Sequence, residues 1–486
     1  MRVNADVAVL LLYLVAVLGV GAWARRREGG EEEFFLAGRR LGAWPMGLSV
    51  MVTLFSAVHF TAFPTEVAGH GLYVWASVPV FLLAAWPVAR GFIPWFRAQP
   101  GLSGYAWLEG RYGPCARRTV AILFLLWRLA WMATALHAAG RVAAGMTGLP
   151  PAAIMTGAAA LALGYTALGG FRAVIGTDLL QVGVLLAGLL LAVAVAFLRL
   201  PQGISGAWAV VREAGLLRPF APPDAAFWGW DPTRRITFWS ALAGTWVAFL
   251  ARYGADQMIL QRYRAARSVR AAQRGIWVNA WASIGVLTLL TLLGFAAACL
   301  PGLDGPPAAR LAGLFRALPA GAAGLVAAAL VAATMSSLDS GLHACAVTLA
   351  VDFEGPAGPA RVRRHPRLLM AGLALLALLL ALPLGRLGGL FAIVNKLVNG
   401  LGAPLLAVVL LGMRGRGVTG PGLAWGGALG FALGIVLAMG VTDLALHHYA
   451  VVNLLVTLLL CRAASGIHTA WRRVYSRVLA DYSGAP

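Results

Sequence analysis

Charge is scarce in this chain of 486 residues: 12% are Asp, Glu, Lys or Arg, while 60% are hydrophobic. Soluble domains carry about twice that share of charge, so the composition excludes a water-soluble globule and leaves a polytopic membrane protein. Cysteine is nearly missing. Cys115, Cys299, Cys345 and Cys461 are scattered with no CxxC pair, which implies neither a disulfide framework nor a cysteine zinc site. Lysine occurs once, at Lys396; every other basic residue is arginine. No GxxxxGK[ST] loop is present, so a nucleotide-driven pump is not expected. No nucleophile–base constellation or metal-ligand cluster supports an enzyme. Also lacking is a basic stretch ahead of the first apolar run. Arg2 stands alone there, and Arg25, Arg26 and Arg27 follow the run, so it is expected to stay as a helix with its N-terminus outside.

What is present is a series of thirteen apolar runs, near 7–24, 43–65, 73–96, 119–145, 151–168, 174–198, 236–254, 276–300, 319–350, 367–384, 388–412, 419–440 and 447–462. Each is long enough for a membrane helix. Counted from an outside N-terminus, the inner segments hold about 26 of the 39 basic residues and the outer ones about 10. That bias sets the N-terminus outside and the C-terminus in the cytoplasm. It also accounts for the net charge of +21 without nucleic acid. The long outer segments 201–235 and 301–319 are expected to hold short interfacial helices, and the tail 468–486 an amphipathic one.

Polar residues inside these runs mark the chemistry. In VAATMSSLDSGLHACAVTLAVD, residues 331–352, Ala333, Ser336, Ser337 and Ser340 are spaced i, i+3, i+4, i+7. On a helix they share one face, with Asp339 about 60° outside it. Three hydroxyls and a small residue suit either coordination of a small hard cation or a close-packed seam with serines bonded back to the preceding turn. The run 43–65 is interrupted by Ser49, Thr53, Ser56, His59 and Thr61, and Pro64 is expected to end it. A helix broken at mid-membrane frees carbonyls that can bind a cation. Gly244 and Thr245 suggest a second break. Asp178 and Gln181 sit one turn apart on the sixth run, open either to a functional role or to a salt bridge with an inner arginine. Arg128, Arg252 and Lys396 lie within membrane runs. Each must pair, snorkel or face a wet cavity.

Five stretches together resemble the sodium:solute symporter family: FFLAGRRLGAWPMGLSV at 34–50, YTALGGFRAVIGTDLLQ at 165–181, YGADQMILQRY at 253–263, AATMSSLDSGL with a following VDF at 332–353, and APLLAVVLLGM at 403–413. The resemblance implies an all-α fold of about thirteen transmembrane helices, with a five-plus-five inverted repeat and two discontinuous helices. Residues 1–30 would form an extra helix, 31–200 the first repeat, 201–235 an extracellular loop, 236–413 the second repeat, and 414–486 extra helices and a short tail. Carried over by motif, sodium would be held by the carbonyls of Val52, Phe55 and Ala333 and the hydroxyls of Ser336 and Ser337. A second sodium site, found in some members, would map to Asp178, Ser336 and Ser340, with Asp339 where others place a hydroxyl. Solute contacts would fall on Ser56, His59, Trp131, Phe249, Arg252 and Lys396. The positions that bind sugar hydroxyls in sugar-transporting members do not match, and Arg252 and Lys396 lean toward a carboxylate-bearing solute. The expected function is sodium-coupled uptake across the cell (inner) membrane by alternating access, with sodium as the coupling ion. The alternatives are a proton-coupled or uncoupled carrier of the same fold, with Asp178 or His59 titrating, and a transporter-like solute sensor.

Overall fold

The computed structural model describes residues 2–26, 31–200, 203–300, 302, 305–354, 366–387, 400–439 and 447–483. Among them the chain is helical throughout, with two isolated β-bridges and no strand. Twenty α-helices follow in chain order. They are α1 Arg2–Arg25, α2 Glu31–Leu36, α3 Ala43–Leu54, α4 Ala57–His70, α5 Val80–Pro87, α6 Ile93–Ala98, α7 Ala106–Tyr112, α8 Pro114–Thr147, α9 Pro151–Leu198 and α10 Gly203–Glu213. Then come α11 Ala225–Trp228, α12 Phe238–Ala255, α13 Gln257–Ala265, α14 Val269–Cys299, α15 Pro307–Arg316, α16 Ala322–Glu354, α17 Pro366–Ala381, α18 Gly400–Arg414, α19 Gly420–Ala438 and α20 His448–Ser483.

Among the described residues, nine helical segments are long and apolar enough to cross a membrane, and α3 and α18 are shorter apolar helices. Several expected runs are divided or joined differently. The run 43–65 is two helices, α3 and α4. The separation of the fourth and fifth runs is real: α8 ends at Thr147, Gly148 takes a left-handed conformation, and Pro151 starts α9. The fifth and sixth runs join in α9, which turns sharply at Gly170, φ 56° and ψ −153°. A side chain there would also meet the Phe34 ring at 2.6 Å. Only glycine satisfies both demands. The segments 201–235 and 301–319 carry the short helices α10, α11 and α15, and the C-terminal tail continues the last span in one long helix, α20.

Two expectations need correction. Pro64 does not end its helix: it lies inside α4, which runs on to His70. Gly244 and Thr245 do not break theirs, because α12 is continuous from Phe238 to Ala255. Gly244 instead gives the backbone of His447 room to pack against α12. The second interruption is at Asp256, whose extended backbone (φ −82°, ψ 120°) separates α12 from α13.

The bundle is centred on α16, which packs against α9, α8, α1, α17 and α3. Nearly every residue from Val326 to Ala350 is buried, the serines and Asp339 included. Small residues allow this closeness: a side chain at Gly188 of α9 would meet Ala329 of α16 at 2.7 Å. Close backbone approach of this kind is how helices associate in lipid, where the hydrophobic effect gives little drive. By contrast, α1 turns Leu11, Leu12 and Val15 outward.

Candidate functional site

The first interruption needs no proline or glycine. Phe55 (φ −86°, ψ 115°) and Ser56 (φ −115°, ψ 175°) are extended between α3 and α4. Ser56 caps α4: its Oγ accepts from Val58 N at 3.2 Å, and His59 Nδ1 accepts from Ser56 N at 3.5 Å. This reciprocal box satisfies the donors that a helix start exposes. The carbonyls at the end of α3 lose their next-turn partners, and α16 supplies replacements. Ser336 Oγ donates to Val52 O at 3.0 Å and Ser337 Oγ to Thr53 O at 3.0 Å. The same hydroxyls lie 3.0 and 3.5 Å from Ala333 O. Val52, Ala333, Ser336 and Ser337 are therefore brought together, with Phe55 as the break residue beside them. Thr53, read from the sequence as one of the polar interruptions and not as a sodium ligand, joins this set through its carbonyl.

Asp339 points elsewhere. Its carboxylate accepts from Tyr165 Oη at 2.6 Å and Thr177 Oγ1 at 3.3 Å, both on α9. The 60° offset on the helix thus becomes a second polar contact on another neighbour. Asp178 and Ser340, mapped to a second sodium, meet a side chain instead. Arg262 Nη2 donates to Asp178 Oδ2 at 2.7 Å and to Ser340 Oγ at 2.7 Å. The salt bridge to an arginine, left open for Asp178, is the arrangement found, and Arg262 is the partner.

Around the second interruption, Asp256 closes α12 and caps α13, its Oδ1 accepting from Met258 N at 3.0 Å. Its other oxygen pairs with Arg128 of α8; the two charges are fully buried and meet without an aligned hydrogen bond. The Arg128 guanidinium also lies 4.4 Å from the Trp127 ring. The freed carbonyl of Ala255 accepts from Tyr105 Oη at 2.7 Å, and Gln257 Oε1 accepts from Gly104 N at 2.8 Å. The motif YGADQ is thereby held at each of its polar positions.

A cavity lies beside α4 and α12, the helices that follow the first interruption and precede the second. His59, Phe249 and Arg252 line it together with Val58, Phe63, Val74, Phe81 and Leu287; Ser77, Thr245 and His447 add polar edges. Arg252 does not snorkel to the cytoplasm. It is 5% exposed, with its guanidinium 5.3 Å from the Trp131 ring and 5.6 Å from the Phe249 ring. Trp131 is buried, and its Nε1 has no hydrogen-bond partner among the described residues. His59 stacks at 4.9 Å on Phe55 and lies 6.2 Å from Trp131. Ser56 is buried in its capping role and is not among the lining residues. Lys396 lies outside the described residues. At one end of the bundle, Asp352 of the VDF motif accepts from Ser103 Oγ at 2.8 Å and Arg117 Nε at 2.8 Å. At the other end, Arg235 forks onto Glu66 at 2.6 and 2.7 Å.

The family model of the sodium:solute symporters matches residues 34–430. The chain belongs to the sodium:solute symporter family. The sodium/iodide cotransporter of Homo sapiens is 28% identical over 461 residues, covering 90% of this chain and 70% of that protein. The sodium/glucose cotransporter of Vibrio parahaemolyticus is 26% identical, covering 86% and 82%. A solved Na+-coupled sialic acid symporter, in a substrate-bound outward-open state with a novel Na+-site, has a TM-score of 0.82 over 95% of this chain and 98% of that one. At 22% identity that likeness shows a shared fold. This symporter is accordingly a multi-pass, sodium-coupled solute transporter rather than an enzyme, and sodium is its coupling ion.

Proposed function

We propose that this symporter carries a small carboxylate-bearing anion into the cell with sodium. The observation that carries the reading is Arg252, a buried guanidinium at the wall of the cavity. A cation in the membrane interior is costly unless it is paired or faces a cavity, and Arg252 faces one. Trp131 is not among the lining residues; its ring lies 5.3 Å from that guanidinium and backs it from behind the wall. The remaining wall is apolar at Val58, Ala62, Phe63, Val74, Phe81, Ala248, Phe249 and Leu287, with His59, Ser77, Thr245 and His447 as polar edges. Such a wall suits an apolar body with one charged end. The named solute of the iodide-transporting relative is also an anion.

In this reading sodium sits among the carbonyls of Val52, Phe55 and Ala333 and the hydroxyls of Ser336 and Ser337. The serine protons turn away from Val52 and Thr53 when the ion enters, so that the oxygens face it. Sodium then stabilises the state open to the outside, solute binds beside the first interruption, and rocking of one helix group against the other exposes both inward. A membrane potential of 100 mV adds about 2.3 kcal/mol per sodium. The repeats are taken as 31–200 and 236–413. The membrane is taken as the inner one, with the N-terminus outside and the C-terminus in the cytoplasm, following the arginine bias.

The test is thermal stability of the purified protein against a panel of short carboxylates, halides and sugars, with sodium or potassium as the sole salt. Carboxylates are expected to stabilise in sodium alone, by linkage, and Arg252→Met to abolish that shift. A shift from sugars but not carboxylates would overturn the anion assignment.

A further inference from the structure

The last helix, α20, is longer than the hydrocarbon it crosses. Its apolar span His448–Ser476 has 29 residues, about 43 Å at the helical rise. That matches a bilayer with both headgroup layers, about 40–45 Å, so the last turns of the span reach headgroup depth. Their side chains agree with that level. Ile467, Trp471 and Val474, at i, i+4 and i+7, are exposed on one face. The Trp471 ring stacks on Tyr475 at 5.1 Å. Tryptophan and tyrosine gather where acyl chains meet headgroups.

Against these turns lies a cleft of about 890 Å³, separate from the solute cavity. The end of α7, the turn from α18 to α19 and α20 enclose it. Arg111, Arg472 and Arg473 line it with His468, and among the described residues no carboxylate does. Arg111 is held in place, its Nη1 donating to Gly412 O at 3.4 Å and Met413 O at 3.3 Å. A side chain at Gly415 (φ 70°) would stand 2.7 Å from Arg111 Nη2, so glycine both permits this turn and leaves the guanidinium room. His468 Nδ1 is buried with no hydrogen-bond partner among the described residues. Gly420, the first residue of α19, is also in the wall, and the positive end of that helix dipole adds to the potential. Three guanidinium groups around one cleft, with no carboxylate to answer them, make a donor set for a phosphate group. The exposed apolar face beside it points to a phosphate that carries acyl chains.

We propose that this cleft binds the phosphate of an anionic phospholipid, whose acyl chains lie along the exposed face of α20. With the orientation taken above, the site lies in the cytoplasmic leaflet, where anionic lipids attract basic segments. The bound headgroup bridges α7 and α20 across the α18–α19 turn and holds the last helix against the bundle. Sodium and solute bind elsewhere, at the serine pair and beside Arg252.

The test is the thermal midpoint of the full chain in an uncharged detergent at constant sodium, titrated with phosphatidylglycerol, phosphatidylcholine or inorganic phosphate. Phosphatidylglycerol should raise the midpoint saturably, and phosphatidylcholine should not. An Arg472→Gln, Arg473→Gln variant should weaken the apparent affinity for phosphatidylglycerol at least about tenfold. An Arg267→Gln, Arg270→Gln variant loses the same charge from exposed positions outside the cleft and should keep the wild-type affinity. An equal shift from phosphatidylcholine, an equal loss in both variants, or no shift on wild type overturns the proposal. Inorganic phosphate that reproduces the shift at the same phosphate concentration makes the ligand a free phosphate and overturns the lipid assignment. Should the Arg472→Gln, Arg473→Gln variant fail to fold, native mass spectrometry of wild type decides. Phosphatidylglycerol retained in preference to phosphatidylcholine is expected, and retention without preference overturns the proposal.

Discussion

Replacing Arg128 with methionine should destabilise the protein far more than replacing Arg128 and Asp256 together. The pair is fully buried, at 1% and 0% exposure. Methionine fills much of the arginine's volume, so the main loss is electrostatic: Asp256 stays in the protein interior without its counter-charge. Removing one partner of a buried pair costs about 3–5 kcal/mol. Asp256→Asn alone leaves Arg128 in the same position, although the Trp127 ring at 4.4 Å retains some attraction for it. In the Arg128→Met, Asp256→Asn double variant no isolated charge remains. The asparagine oxygen can still cap α13 in place of Asp256 Oδ1. Replacing a whole buried ion pair by neutral groups is often close to neutral. The double variant should therefore lose much less than the sum of the singles, with a coupling energy of at least about 2 kcal/mol. Thermal midpoints of the four proteins in one detergent rank them without assuming two-state unfolding. If the double variant falls as far as the two singles added together, the pair is not an energetic unit and this reasoning fails.

Three further outcomes follow from the same geometry. Gly170→Ala should lower the thermal midpoint, because φ 56° costs an L residue about 1–3 kcal/mol and the Phe34 ring stands in the way; an unchanged midpoint would show that the turn can relax. Arg252→Met should raise the KM for the anionic solute at least about tenfold, equivalent to about 1.4 kcal/mol, while sodium-dependent stabilisation without solute stays as in wild type; equal loss of both would place Arg252 in the scaffold. Glu66→Gln should change stability by at most about 1 kcal/mol: Glu66 is 5% exposed, but Arg235 is 44% exposed and water takes over its charge when the partner's is lost; a larger drop in thermal midpoint would mean the ion pair is part of the folded core.

The hydroxyl stripe on α16 was legible in the sequence because helical spacing alone puts Ala333, Ser336, Ser337 and Ser340 on one face. The same rule put Asp339 off that face, and it does face α9 rather than α3. The break in the second run was legible from its polar residues, but its position was not. Pro64 was given the role of terminator, whereas Ser56 does the work by capping α4, and α4 accommodates the proline. The second break was misplaced for a related reason. Gly244 and Thr245 read as a weak point, yet the glycine makes room for a neighbouring backbone, and the interruption belongs to the capping residue Asp256. Partners of the buried charges were the least legible. Arg128 meets Asp256 and Asp178 meets Arg262 across long stretches of chain, and no local pattern specifies which carboxylate a buried arginine will find. The family resemblance pointed to the fold and the coupling ion; that Asp178 meets Arg262 came from packing alone.

The account stands on sodium binding where Ser336 and Ser337 meet the end of α3. Its most direct measurement is thermal stability of wild type and of the Ser336→Ala, Ser337→Ala variant, titrated with sodium against a constant total of sodium plus potassium. Wild type should gain stability with sodium, by about 2.7 kcal/mol when the ion reaches a hundred times its Kd, and the double variant should give a flat line. A double variant that follows the wild-type curve, with the same midpoint concentration, would contradict the assignment.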